Sequence, residues 1–419
     1  MTDPKCPYFG RCGGCSAQHI DYAVQVENKR KVLADAIGVT GAGLAAEVQA
    51  FFGESFGYRN RMDMIFHRSG NRSGIGFRLK GEWKKSVDVE ECCISEKRLN
   101  GLIKEVRGFF FGGRVGAAAD AGAIQGEGDF DSFDVVKKCG TFRYAVIRTP
   151  GAGAGQATAG VGQAGESGED SSITFILNGD STRLDAATKL IEAFARESSA
   201  RNILVGYVAH DSDVSVTDDF FVVKGGENLK AGLLGREFEF SVQGFWQNNS
   251  AMAEKLHSYV RGLLSAYDDK SEWATLLDLY GGVGTFGINN ADLFRKVKIV
   301  ESFAPAIELA RANLARNGIE NAEAIVMDAK RLKSLELGVK GDDLYVITDP
   351  PRSGMHPNTI LRLRELEPRV IIYISCNVSQ LKSDLPKFVG HGYSVRSAAM
   401  FDLFPQTPHM ESVVEMVRV

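Results

Sequence analysis

Apolar and polar positions change period along the chain. In 21–37, Tyr22, Val26, Leu33 and Ile37 share one face at helical spacing, and Gly38 is placed to end the helix. Residues 57–92 alternate short apolar runs with Gly and Asn, which predicts antiparallel strands. Helical spacing returns over 96–111. FRYAVIRT (142–149) and ITFIL (173–177) are strand-like and flank 151–170, where seven Gly and five Ala leave almost nothing to bury. This predicts a hairpin with an expanded, disordered loop at 150–172; Gly and Ala also dominate 112–128. From about 240 the pattern becomes strand, turn, helix, repeated. LLDLYG, KVKIVES, AEAIVMD, LYVITDPP and RVIIYISC are apolar β-rich runs, and a helix over 304–316 is closed by Asn317-Gly318. Such alternation predicts a largely parallel sheet covered on both faces, with ligands beyond the carboxyl ends of its strands. Four segments result: 1–20, rich in cysteine; 21–56, helix and linker; 57–237, a central antiparallel α+β domain; and 238–419, an α/β domain.

A chain of 419 residues allows two or three domains. It has no run of 18 apolar residues and no apolar core in its first 20. The reading is therefore a cytoplasmic protein with no membrane span, whose seven cysteines are reduced thiols, ligands or catalysts. The net charge of −4 argues against non-specific coating of nucleic acid. Yet residues 1–110 hold 17 Lys and Arg against 13 acids. Within 58–85, Arg59, Arg61, Arg68, Arg72, Arg78, Lys80, Lys84 and Lys85 face only Asp63 and Glu82, with Tyr58, Phe66, Phe77 and Trp83 interleaved. Cationic groups neutralise phosphates and aromatic faces stack on bases. The same pattern also suits a sheet edge guarded by Lys and Arg.

Chemistry gathers at the predicted strand ends. After LLDL comes Tyr280-Gly281-Gly282-Val283-Gly284-Thr285-Phe286-Gly287, a nucleotide loop of the G-x-G-x-x-G type. The next strand ends at Glu301, placed to accept from ribose hydroxyls. NAD and S-adenosylmethionine both fit. Asp278, inside the strand before the loop, suits a cationic amino-acid-bearing ligand better than a pyrophosphate. Cys376 directly follows a buried-type strand in YISCN; a strand earlier lies Asp349-Pro350-Pro351-Arg352-Ser353-Gly354; His409-Met410-Glu411 precedes the last apolar run. Each alone is unremarkable.

Together, FWQNN (245–249), DLYGGVGTFG, DPPRSG, YISCN and HMES make the chain resemble the RNA uracil-5-methyltransferases, iron–sulfur members included, from Cys6 to the C-terminus. The resemblance implies a Rossmann-like class I methyltransferase domain beside the central domain, with the 21–37 helix packing on the former. It implies S-adenosylmethionine-dependent methylation of uridine C5 in tRNA or rRNA, with no obligate protein partner. Cys376 would be the nucleophile that adds to uracil C6, and Glu411 the base that removes the C5 proton. Gln247, Tyr280, Gly282, Gly284, Glu301, Asp328 and Asp349 would line the pocket for the methyl donor and the base. Phe245 would pack against the flipped uracil, and Arg59 and Arg61 would bind RNA. One stretch departs from the family pattern C-N-P-x-T-x-x-R-D: here Val378 to Asp384 lack its Pro, Thr and Arg. An oxidoreductase reading the glycines as an NAD loop, and an RNA-binding protein with a dead methyltransferase fold, are the alternatives. The DPPR, SCN and HME set opposes both.

Cys6-x5-Cys12-x2-Cys15 has ligand-like spacing, with Cys92 and Cys93 as candidates for a fourth position. From spacing alone, zinc and an iron–sulfur cluster both fit. The resemblance selects a [4Fe–4S] cluster held by Cys6, Cys12, Cys15 and Cys92. Cys93 stands where the family often has Pro, so the choice between 92 and 93 stays open. Cys139 has no evident partner. The family's common N-terminal OB-like (TRAM) module is expected to be absent, because the cysteine motif starts at residue 6.

Overall fold

The computed structural model describes residues 2–41, 47–69, 72–112, 131–151, 170–267 and 272–419. Two sheets organise it. The larger has eight strands in the order Gln49–Phe51, Tyr393–Phe401, Glu411–Arg418, Val370–Ser375, Leu344–Thr348, Thr275–Leu279, Lys296–Glu301, Ala322–Val326. From Val370–Ser375 to Ala322–Val326 every pairing is parallel. Thr275–Leu279, Leu344–Thr348 and Val370–Ser375 are buried along their whole length, so they read as continuous apolar runs rather than alternating ones. Their two faces carry separate cores. One is built on Leu276, Ile299 and Ile347, the other on Leu277, Val300 and Val346.

The carboxyl-terminal strand breaks the rule. Glu411–Arg418 inserts antiparallel between Val370–Ser375 and Tyr393–Phe401. At the sheet edge, Gln49–Phe51 comes from far upstream and pairs parallel with Tyr393–Phe401. The helix Tyr22–Gly38 packs on the helix Val378–Val389 and on this edge. A buried Lys29–Asp402 ion pair of 2.7 Å fastens it there. Gly38 is the last residue of that helix rather than the first beyond it.

The smaller sheet runs Glu82–Asp88, Arg72–Leu79, Arg61–Ser69, Phe142–Arg148, Ser172–Asn178, Asn202–Val208, Phe220–Lys224. It is antiparallel except for one pair. Ser172–Asn178 and Asn202–Val208 run parallel, because the helix Leu184–Glu197 carries the chain back between them. That helix and Lys97–Phe111 cover one face with a core that includes Phe66, Phe175 and Phe194. The loop expected at 150–172 joins two strands that do pair antiparallel. Its residues 152–169, and 113–130 of the other Gly/Ala stretch, lie outside the described residues.

A hairpin, Asn228–Leu233 with Arg236–Ser241, corrects the boundary expected at 237/238, which cuts its second strand. Asn313 and Asn317, on and just beyond the helix Ala304–Arg316, hydrogen-bond to its Glu237 and Glu239. The hairpin therefore packs with the larger sheet's layer. Among the described residues no helix is long and apolar enough to cross a membrane.

Candidate active site

Strand register sets the heart of the site. Ser375 pairs with Ser412 across the antiparallel ladder, and Ser412 Oγ donates to Ser375 O at 2.9 Å. The next residues outward, Cys376 and Glu411, therefore leave adjacent strands facing each other. On the other side, Thr348 pairs with both Leu279 and Tyr373, so Tyr280 and Asp349 emerge at the same level. Three carboxyl ends of parallel strands and the start of the antiparallel Glu411–Arg418 thus deliver four chemically active side chains to one place.

They line a cavity of about 850 Å³. Gln247, Gly282, Glu301, Asp328 and Phe245 share its wall, so the structure brings most of the expected residues together. Phe245 is 71% exposed, unusual for a large apolar side chain. The nucleotide loop turns on Tyr280 and Gly282, with φ of +62° and +54°. Nothing lies within 4 Å of a Cβ built on Gly282, so a side chain there would only enter the open space a ligand needs. Glu301 accepts from Ser302 N at 2.6 Å and Phe303 N at 2.9 Å through one oxygen. Its other oxygen reaches Gly282 N at 3.4 Å. Asp328 caps the turn at Ala329–Ser334 and pairs with Lys330.

Two expected placements differ. Gly284 does not line the cavity. A Cβ on it would meet Ile288, Ile299 and Ala310, so this glycine serves close packing behind the loop. Asp278 is also turned away from the ligand space. It is fully buried and accepts from Gly287 N at 2.8 Å. It braces the loop, and burial pushes its carboxyl up to about 7. Arg59 and Arg61, expected to bind RNA, line a second cavity.

The electrostatics around Cys376 are unusual for a nucleophile. Burial raises its thiol, and the charges of Glu411 and Asp349 raise it further, with Arg352 opposing. Burial pushes Glu411 well above the carboxylate range; Asp349 adds to this and Arg352 again opposes. Burial lifts Asp349 to about 7. Two carboxyl groups this close resist ionising together. Arg352 is the cation common to both reactive groups and forms no ion pair among the described residues. Its backbone oxygen accepts from Asn377 Nδ2 at 2.9 Å, tying the Pro-Pro turn to the residue after Cys376. Sequence reasoning gave Arg352 no role, although a base directly after Pro350-Pro351 was the available signal. His257 was also missed: its buried ring stacks on Phe286 at 3.9 Å beside the cavity, and burial lowers it to about 3. A lone His at a core position of a helix gave no sign of this.

The second cavity, about 430 Å³, adjoins the first through Phe245 and Trp246. Cys6, Cys12, Cys15, Cys92 and Cys93 all face it. Among the described residues no three His, Cys, Asp or Glu side chains gather closely enough to hold a metal ion. Thiols are donors that zinc and an iron–sulfur cluster both take. Asn100 holds the backbone of Cys92 from both sides, at 2.9 and 3.0 Å, and Gln18 Nε2 lies 3.6 Å from Cys93 Sγ.

The basic region divides. Lys84 and Lys85 sit on the exposed edge strand, over Trp83 and beside Glu82 respectively. That is the guarded edge. Arg61 is neutralised by a bidentate bond to Asp63, at 2.9 and 3.1 Å. Arg59 donates only through Nε, to Arg61 O at 2.8 Å, and has no carboxylate partner among the described residues.

Comparison with known proteins agrees in direction. A family model described as tRNA (Uracil-5-)-methyltransferase matches residues 227–419. The chain is 30% identical to the tRNA (uracil(54)-C(5))-methyltransferase of Pyrococcus abyssi over 99% of its own length and 86% of the relative's. With the Pyrococcus horikoshii enzyme of the same name the figures are 31%, 99% and 85%. The crystal structure of the P. abyssi enzyme in complex with S-adenosyl-L-homocysteine superposes with a TM-score of 0.70 at 29% identity, covering 97% of this chain and 86% of that one.

Proposed function

Because the chain belongs to the tRNA (uracil-5-)-methyltransferase family, we propose that it methylates C5 of a uridine in tRNA through a transient bond between Cys376 and uracil C6. The observation that carries this reading is the facing of Cys376 and Glu411 across one ladder, inside the cavity that the nucleotide loop enters. S-adenosylmethionine, when bound, supplies an electrophilic methyl group. The cavity at the strand ends, the open face at Gly282 and the acids Glu301 and Asp328 fit its adenosyl part. Tyr280, Gln247 and Asp349 complete that wall.

Uracil C5 is too weak a nucleophile to be alkylated directly. The Cys376 thiolate adds to C6, the C5=C6 electron pair moves toward O4, and the resulting enolate makes C5 nucleophilic. Arg352 is placed to favour the thiolate over the thiol. Once C5 carries the methyl, Glu411 removes the C5 proton. The electron pair re-forms C5=C6 and the Cys376–C6 bond breaks. A carboxylate raised by burial is a stronger base than a solvated one, which suits this step. Phe245, apolar and projecting, packs against the extruded base and offsets part of its lost stacking.

The resemblance to the family's iron–sulfur members, with the thiols facing one cavity, supports a [4Fe–4S] cluster on Cys6, Cys12, Cys15 and Cys92. Its part would be to order the N-terminal segment against the smaller sheet; no chemical step needs it.

The test is transfer of a labelled methyl from S-adenosylmethionine to purified tRNA and to ribosomal RNA, followed by mapping of the modified nucleotide. 5-Methyluridine at one tRNA position is expected. Label confined to ribosomal RNA would replace the substrate, and no label in either would reject the activity.

A further inference from the structure

The loop between the hairpin and the helix Ser250–Ser265 carries Phe245 and Gln247, yet it has no regular structure of its own. What holds it is a charge from the other sheet. Arg148, the last residue of Phe142–Arg148, is 1% exposed. Its Nη1 donates to the carbonyls of Ser241 (3.4 Å), Val242 (3.2 Å) and Gly244 (2.6 Å), and its Nη2 to that of Trp246 (3.4 Å). The guanidinium also lies 4.8 Å from the Phe240 ring centroid. It forms no ion pair among the described residues. From the adjacent strand end, Asn60 Nδ2 adds a bond to Gln247 O at 3.0 Å.

A buried cation is expensive unless its donors are met, and a well-packed apolar side chain would hold two layers together at less cost. Carbonyls that converge on a guanidinium do something apolar packing cannot. They fix the direction of successive peptide planes, and hence where residues 245 and 247 point. Resting on the reading that Phe245 meets the target base, we propose that Arg148 is a positioning residue for that loop, presenting Phe245 and Gln247 to the cavity through four backbone carbonyls.

Trp246 provides the readout, since its own carbonyl is one of the four. In a Trp83→Phe, Trp273→Phe background it is the last of the chain's three tryptophans. Arg148→Lys keeps the charge but loses the planar fork. The expected result is a rise of at least twofold in acrylamide quenching of Trp246 and a fall of at least tenfold in kcat/KM for RNA. Adding Arg148→Lys to a Phe245→Ala, Gln247→Ala variant should cost no more than about threefold further, because Arg148 acts through those two side chains. Unchanged quenching, or losses that multiply, would overturn the proposal. Arg148→Gln serves if the lysine variant does not fold. Failure of both to fold rejects it too, since Arg148 would then be a pin for the whole fold. Phe245→Ala with full activity would instead remove the target-base reading, leaving the loop assignment to be judged by Trp246 quenching.

Discussion

The two cavities share Phe245 and Trp246 but are built in different ways. In the larger one, backbone register does the placing. Cys376, Asp349 and Tyr280 each follow the last rung of a parallel strand and Glu411 opens the antiparallel one, so ladder hydrogen bonds position them before any side chain contributes. In the smaller one, thiols arrive on loops from the two ends of a long sequence interval, residues 6–15 and 92–93. Isolated contacts such as Gly13 N to Arg78 O, at 3.0 Å, hold them there. Chemistry that needs two groups opposed is placed on strands. A site that a bound group can itself organise is left to loops.

The contrast breaks most visibly at Cys376. Cys376→Ala should lower turnover on the order of 10⁴-fold or more while cofactor affinity stays within about threefold, because the thiol contributes a bond and not binding. Glu411→Gln should let the adduct form and stall it there. RNA that survives denaturing gel electrophoresis attached to the protein is the expected sign. RNA that dissociates freely from that variant would take the base role away from Glu411.

The loop-built cavity should answer differently. Cys92→Ser should remove iron and the absorbance near about 400 nm from anaerobically purified protein, and Cys93→Ser should retain both. The reverse result would exchange the two ligands. Colourless, zinc-loaded parent protein would replace the cluster altogether.

Acid and thiol give the register-built site a pH signature. Both act deprotonated, and both are raised: Glu411 by burial and Asp349, Cys376 by burial and the two carboxylates. The active form is therefore scarce at pH 6 and grows as pH rises. Single-turnover rates should climb at least tenfold between pH 6 and 9. Arg352 opposes both shifts, so Arg352→Ala should move the climb to higher pH. A flat profile would mean that neither group limits the reaction.

What was legible follows the same division. The parallel strands announce themselves as buried apolar runs, and the reactive residues stand at their ends, so the first cavity could be read from the order of motifs. Gln49–Phe51 could not: three residues carry no period, and only the exposed edge of Tyr393–Phe401 makes them a strand. Asp278 misled because a carboxylate in a nucleotide-loop strand reads alike whether it meets ligand or braces a glycine turn. Arg148 sits in FRYAVIR, where a terminal charge looks like a solvated strand end. Its four partners lie about a hundred residues on, at distances no local pattern encodes.

The smallest effect is expected at the two arginines of the second cavity. Arg59 and Arg61 are two residues apart, and their sequence context is alike. The structure separates them, because Arg61 spends both of its charged contacts on Asp63 while Arg59 keeps its terminal nitrogens free of any carboxylate among the described residues. A guanidinium already paired releases little counterion when RNA arrives, whereas a free one can neutralise a phosphate. Arg59→Ala should therefore weaken RNA binding and reduce the slope of log K against log salt by roughly 0.7–0.9, the share of one phosphate contact. Arg61→Ala should change that slope by less than half as much. Equal effects would mean that Asp63 releases Arg61 when RNA binds, and a larger effect at Arg61 would move the phosphate track to the Asp63 side of the cavity.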